Sequence, residues 1–195
     1  MKDSEISEST DRLGIFAFEG DFDDEDLSDK TSIRPVLQLL HEHYKVPFIH
    51  RRIGTGEELD YYLEKWTDEQ YANYRVGYLG FHGTEGKIWL GEEGYDLDRL
   101  EGLVGRGRAQ GKCFYFGSCH TLDLHPARVT RFLRYTGAKA AIGHTIAPYW
   151  TEVAALSLIL FDYLTEYRYT KNALKAFKRK HHGLADSLGL RIVIA

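Results

Sequence analysis

Short apolar runs alternate along the chain with segments in which apolar residues recur at helical spacing. The apolar runs predict strands at 13–18, 46–52, 75–81, 112–116, 138–143 and 189–195, with a small hairpin arm at 87–90. The helical spacing predicts helices at 32–44, 56–74, 96–104, 126–136, 151–167 and 171–182, with Ser32 as the first N-cap and Gly183 as the last stop. Strands separated by helices are typical of an α/β protein. We therefore expect a three-layer α/β/α fold with a mostly parallel central sheet of about six strands.

Polar and reactive side chains follow several of the predicted strands at the point where each strand ends. In an open parallel sheet, ligands bind beyond the carboxyl ends of the strands. The residues delivered there by the first, third, fourth and fifth strands are Glu19 and Asp21, His82 and Gly83, Ser118 to His120, and His144. The sequence therefore predicts that a thiol and imidazoles gather at one edge of the sheet, although His82 and Cys119 are 37 positions apart.

A thiol and an imidazole at one edge can carry out acyl transfer. A cysteine attacks a carbonyl as its thiolate, and its ordinary pKa of about 8.5 means that a base must take the proton. His82 can take that proton and later return it to a leaving amine. The N–H groups of Gly83 and Cys119 are the candidate donors to the oxyanion that forms in between.

The motif "YLGFHG" followed by "CFYFGSCHT" resembles the His-Gly and strand-end Cys motifs of the caspase-like cysteine peptidases. This group includes caspases, metacaspases, gingipains, separases and CHAT domains, and the resemblance extends to the strand–helix order across about residues 12–166. It implies a caspase-like fold, His82 as general base and acid, Cys119 as nucleophile, and a protein or peptide substrate without a cofactor or metal. It also implies regulated cleavage, bacterial defence included, with a possible regulatory protein partner.

The sequence departs from the family pattern in the residues that would set specificity. Metacaspases have an acidic residue two positions before the nucleophile, and Gly117 stands there in this chain. The loop after the first strand, "EGDFDDEDL", is acidic instead, so we expect Glu19, Asp21 and Asp23 to bind a Lys or Arg of the substrate. His144 either lines the substrate cleft or lies as a second imidazole near the thiol. The weak specificity signals leave one alternative open, a catalytically inactive binding or scaffold module with the same fold.

Other chemistries fit the sequence less well. Zinc held by His82, Cys119, His144 and Asp21 lacks the closely spaced ligand pair of most zinc sites. A phospho-acceptor site after the first strand would need an Asp at the end of the third strand, where His82 stands. The glycines of residues 105–111 precede a strand, whereas a nucleotide-binding fingerprint follows one.

Composition and charge bound the classes of protein that remain. Hydrophobic residues make up 43% of the 195 residues, which suits one folded domain at 12–195 after a disordered acidic tail at 1–11. The first 30 residues hold 11 carboxylates and 3 basic side chains, and the rest of the chain has only a small excess of base. We therefore expect neither a nucleic-acid partner nor a membrane. Two cysteines and no export signal favour the reducing cytoplasm.

Overall fold

The computed structural model describes residues 12–22 and 31–195. Within these ranges the strands are β1 (Gly14–Glu19), β2 (Phe48–Arg52), β3 (Tyr74–Gly80), β4 (His82–Thr84), β5 (Lys87–Leu90), β6 (Glu93–Asp96), β7 (Cys113–Phe116), β8 (Ala140–His144) and β9 (Leu190–Ile194). The helices are α1 (Arg34–Tyr44), α2 (Gly56–Thr67), α3 (Leu97–Val104), α4 (Pro126–Thr136), α5 (Trp150–Glu166) and α6 (Thr170–Ser187), with a short 3₁₀ turn at Glu69–Tyr71. The predicted tail at 1–11 lies outside the described residues.

The strands form two sheets. The main sheet has six strands in the order β2-β1-β3-β7-β8-β9, and every neighbouring pair is parallel except β8 and β9. The second sheet is the antiparallel set β4-β5-β6, and it begins directly after β3. The sequence prediction of an α/β fold with a mostly parallel six-stranded sheet is confirmed.

Helices cover both faces of the main sheet. Phe16 and Phe18 of β1 pack in one core with residues of α2, α3 and α4. Ile15 and Ala17, which point to the other face, pack in a second core with residues of α1, α5 and α6. Because both faces are buried, successive residues of a strand must all be apolar, which explains the unbroken apolar runs of the sequence.

Trp66 fixes α2 to the middle of the sheet. Its indole is completely buried, and its Nε1 donates a hydrogen bond to the carbonyl of Tyr74 at 2.7 Å. The ring lies over Gly77 of β3 so closely that a Cβ atom at this position would be 2.4 Å from a ring carbon. The glycine is therefore required by close packing and not by a special backbone angle.

The structure corrects three predicted boundaries. Helix α2 ends at Thr67, since the carbonyls of Tyr71 and Tyr74 accept hydrogen bonds from Lys112 and hold this segment at the sheet instead. The residue before α1 is Ile33, but the Ser32 hydroxyl still accepts a hydrogen bond from the N–H of Arg34 at 3.2 Å while it donates to the buried Glu19 carboxylate. Helix α6 continues past Gly183 to Ser187, with a kink at His181.

Within the described ranges no helix combines the length and hydrophobicity that crossing a bilayer requires.

We predict that Gly77→Ala destabilises the protein by about 1–3 kcal/mol, because the new methyl group displaces the Trp66 ring. The matched control is Gly102→Ala in α3, where a new Cβ meets no atom within 4 Å. This control should leave stability unchanged or raise it by up to about 1 kcal/mol. Urea unfolding of both variants measures the difference, and equal effects at the two sites would contradict this packing.

Candidate active site

The loop that carries Cys119 follows β7 and is fixed to the end of β3. The buried Ser118 hydroxyl accepts a hydrogen bond from the N–H of Phe81 at 3.1 Å and lies 3.3 Å from the carbonyl of Leu79, to which it donates. Because Phe81 immediately precedes His82, these bonds set the position of the cysteine loop relative to the imidazole.

The backbone of His120 fixes the other side of this loop. Its φ of 53° is the left-handed conformation, which turns the chain sharply after Cys119. Its N–H donates to the carbonyl of Ile146 at 3.1 Å, and its carbonyl accepts from the N–H of Gly86 at 3.2 Å. The loop is thereby tied both to the segment after β8 and to the turn of the small sheet.

The backbones of the two motifs are in direct contact at Gly83. A Cβ atom at this position would lie 2.2 Å from the carbonyl oxygen of Cys119 and 2.8 Å from its nitrogen. Only a glycine allows this approach, since no side chain fits between the two backbones. The N–H of Cys119 donates to no backbone carbonyl of the described residues and faces its own thiol, so a substrate oxygen can accept from it.

His82 is exposed, and its ring is oriented by the segment after β1. The ring nitrogen Nε2 lies 2.7 Å from the carbonyl of Phe22, and the two rings meet edge to face with centroids 5.7 Å apart. Because a carbonyl only accepts hydrogen bonds, Nε2 carries the proton in this contact. The lone pair of the neutral imidazole is then on Nδ1, which is the nitrogen that can act as a base.

The two cysteines differ in burial and therefore in acidity. Cys113 is completely buried in the core, and desolvation raises the pKa of its thiol to about 12. Cys119 is only half-buried; desolvation raises the pKa of its thiol as well, and its own backbone N–H partly offsets this effect. In the resting protein Cys119 is therefore a neutral thiol at neutral pH, and it needs a base to become a nucleophile.

The absence of an acidic residue at position 117 has a packing reason. A Cβ atom at Gly117 would lie 2.3 Å from the hydroxyl oxygen of Tyr78, because the phenol ring fills the space that a side chain would occupy. The ring also covers Gly80, where a Cβ atom would lie 2.6 Å from a ring carbon. An acid in the metacaspase position would require Tyr78 to move.

A cavity of about 400 Å³ lies next to His82, between the ends of β1 and β2 and the small sheet. Asp21 and Trp89 line this cavity together with His82, whereas Cys119 does not. The exposed Asp21 carboxylate forms an ion pair with Arg52, so its charge is partly offset. Asp21 is thus placed beside the imidazole, but with less free negative charge than the sequence indicated.

Glu19 lies at the same edge of the sheet, but its environment does not fit the predicted contact with a substrate. It is completely buried, and its two carboxylate oxygens accept hydrogen bonds from the N–H of Ile33 at 2.7 Å and from the Ser32 hydroxyl. His50 Nε2 lies 2.7 Å from the same carboxylate. Glu19 therefore anchors the start of α1. Asp23, the third predicted acid, lies outside the described residues.

His144 is also buried away from any cleft. Its Nδ1 donates to the carbonyl of Leu188 at 2.9 Å, and burial lowers the pKa of the ring, which stays neutral. Its Nε2 is sealed in the interior without a partner among the described residues. The expectation that His144 lines the substrate cleft does not fit this burial. Among the described residues no group of three or more His, Cys, Asp or Glu side chains is placed to hold a metal ion.

Sequence reasoning missed the groups that position the two reactive side chains. The Phe22 carbonyl belongs to the backbone and has no sequence signature. Ser118 was noted only as a neighbour of Cys119, and nothing in the chain indicates that its hydroxyl reaches β3. Arg52 ends the second predicted strand, but the sequence does not show that this strand pairs with β1 and brings Arg52 to Asp21.

We predict that iodoacetamide modifies Cys119 in the folded protein and spares Cys113. Because burial raises the pKa of the Cys119 thiol, its reaction rate should still be rising at a pH where free cysteine, with a pKa of about 8.5, has levelled off. Peptide mapping by mass spectrometry across a pH series measures both rates, and unfolded protein, in which the two cysteines react alike, is the control. Equal rates in the folded protein, or a midpoint below that of free cysteine, would contradict this assignment.

Comparison with known proteins adds the family and the fold. The model of a family of unknown function, DUF6642, matches residues 12–193. None of the curated proteins compared with the chain matches it significantly. Among solved structures, one titled "structure of pro-sf-caspase-1" is similar, with a TM-score of 0.55 and 14% identity over 91% of this chain and 83% of that chain. At this identity the likeness shows the fold alone, which is caspase-like. The chain belongs to the DUF6642 family, a family of unknown function.

Proposed function

We propose that this protein is a cysteine peptidase with Cys119 as nucleophile and His82 as general base and acid. The observation that carries the proposal is the contact between the backbones of Gly83 and Cys119, since it brings the thiol residue and the imidazole residue to one place. The caspase-like fold of the neighbour supports the assignment as an analogy of architecture. No step of the reaction requires a cofactor.

The first half of the reaction is acylation. His82 Nδ1 accepts the proton of the Cys119 thiol, and the sulfur attacks the carbonyl carbon of the peptide bond. The carbonyl oxygen becomes an oxyanion, which the N–H groups of Cys119 and Gly83 stabilise. The C–N bond then breaks, and the departing amine takes the proton from His82, leaving a thioester on Cys119.

The second half is hydrolysis of that thioester. His82 takes a proton from a water molecule, whose oxygen attacks the thioester carbon. The C–S bond breaks, the product leaves as a carboxylic acid, and the proton returns to the sulfur. The resting neutral thiol is thereby restored, which agrees with the raised pKa of Cys119.

The cavity beside His82 is the proposed place for a substrate side chain. None of the described residues that line it is Lys or Arg, and Asp21 contributes a carboxylate. A Lys or Arg substrate residue is therefore preferred over Asp, although the Arg52 ion pair keeps this preference modest.

A catalytically inactive binding module is the second candidate. The position that carries an acid in metacaspases is occupied here by the Tyr78 ring over Gly117, and this observation favours a site without strong substrate selection. In this case the same cleft binds a peptide segment of a partner and does not cleave it.

We predict that the protein cleaves peptides in a substrate library, with Lys and Arg preferred at the residue before the cut. His82→Ala should lower kcat/KM by about 100- to 10,000-fold, and Cys119→Ala should reduce cleavage to background. His182→Ala, which removes an exposed imidazole from α6, is the matched control and should keep full activity. Mass spectrometry of the cleaved library measures both rate and preference.

The same experiment separates the two candidates. Cleavage that persists in Cys119→Ala would come from a contaminating peptidase and would contradict the proposal. Folded protein that binds library peptides but leaves all of them intact would establish the binding module instead.

A further inference from the structure

A second cavity, of about 270 Å³, lies at the amino ends of the parallel strands of the main sheet, opposite the strand ends that precede His82 and Cys119. It is bordered by the first residues of β3 and α6, by the residue before β8 and by the end of β9. Arg75 at this cavity and His82 at the other edge are separated by seven residues of nearly extended chain, or roughly 23 Å at 3.3 Å per residue. The cavity is therefore too far from Cys119 and His82 to take part in their chemistry.

The charged side chains that line this cavity are all basic. They are Arg75, Lys139, Arg168 and Lys171, and none of its described lining residues is Asp or Glu. Among the described residues, no carboxylate lies within 4.0 Å of any of these four cations, whereas six of the other twelve arginines have such a partner. Four unpaired cations around one small cavity repel each other, so an anionic ligand would lower the free energy of this region.

Part of this basic lining is held in place by the fold. The Nη1 of Arg75 donates to the carbonyl of Arg168 at 2.5 Å and to that of Tyr167 at 3.5 Å. The Arg168 guanidinium in turn lies over the Tyr169 ring, 5.5 Å from its centroid. The remaining donors of these two guanidinium groups are therefore presented in a restricted geometry, which reduces the entropy that a ligand must overcome.

Helix α6 begins at this cavity and adds neutral donors. Its N-cap residue, Tyr169, provides no side-chain cap, so the N–H groups of Thr170 and Lys171 remain available to a ligand. Thr170 is only 6% exposed and lines the cavity, and its hydroxyl has no hydrogen-bond partner among the described residues. This hydroxyl can donate a hydrogen bond to a ligand oxygen in the cavity.

We propose that this cavity binds the phosphoryl group of a small phosphorylated molecule. A phosphoryl dianion only accepts hydrogen bonds, and this cavity offers guanidinium, ammonium, hydroxyl and helix N-terminal N–H donors. Its volume suits a compact ligand and does not accommodate a polymer strand. The exposed Tyr169 ring and Ile194 border the opening and provide an apolar surface for a group that carries the phosphate.

Isothermal titration calorimetry of the full chain tests this site with inorganic phosphate, pyrophosphate and ADP at constant ionic strength. Saturable binding of at least one of these probes at one site is the expected result. Equal affinity for pyrophosphate and ADP would identify the phosphoryl group as the whole ligand. Tighter binding of ADP would show that the nucleoside contacts the apolar border.

The variants place the binding at this cavity. Lys171→Glu should weaken binding about tenfold or more, and an acid in the first turn of α6 also stabilises the helix, so a loss cannot come from unfolding. Thr170→Val keeps the shape of the side chain, removes its hydroxyl and should weaken binding as well. The matched control is Lys175→Glu, the same charge change on α6 outside the cavity, with unchanged affinity expected.

Three results would overturn the proposal. One is the absence of saturable binding of all three probes at millimolar concentration. Another is an equal loss of affinity in Lys175→Glu and Lys171→Glu, which would show general charge attraction. The third is binding to anionic phospholipid vesicles or to RNA without binding of the small phosphates, which would make this edge a macromolecular surface. Because the test measures binding and not cleavage, its outcome is independent of the proposed peptidase activity.

Discussion

The backbone contact between Gly83 and Cys119 is the constraint on which the candidate site depends. Gly83 belongs to the small sheet and Cys119 to the loop after β7, and the small sheet reaches this loop only because position 83 carries no side chain. The Ser118 hydroxyl fixes the loop to the end of β3. The backbone of His120 fixes it to Ile146 and to Gly86. Backbone contacts and the Ser118 hydroxyl thus set the relative positions of the residues that carry the thiol and the imidazole.

The sequence predicted those parts of the fold in which burial restricts the type of residue that a position can hold. Strands buried on both faces, such as β7, must be apolar throughout, and this pattern predicted the sheet and the ends of the strands that His82 and Cys119 follow. The sequence could not show how charges at this edge pair. The burial of Glu19 and the Asp21–Arg52 ion pair depend on the parallel register of β1 and β2, which local patterns do not encode.

The two edges of the main sheet have different electrostatic characters. At the carboxyl edge Glu19 lies beside His50 and Asp21 pairs with Arg52, and desolvation keeps the Cys119 thiol neutral at rest. At the amino edge four cations surround a cavity that no described Asp or Glu side chain lines. Strands β3 and β7 run between the two edges, so the elements that deliver His82 and Cys119 also begin at the basic cavity. The proposed chemistry and the proposed ligand binding therefore lie at opposite ends of the same strands.

An experimental structure of the protein with a peptide aldehyde tests the central claim most directly. We expect a covalent bond from Cys119 Sγ to the aldehyde carbon, with the resulting oxygen about 2.7–3.1 Å from the N–H groups of Cys119 and Gly83. His82 Nδ1 should face the sulfur, with Nε2 still bonded to the Phe22 carbonyl. A sulfur directed into the core, or an aldehyde bound without reaction far from Gly83, would contradict the account.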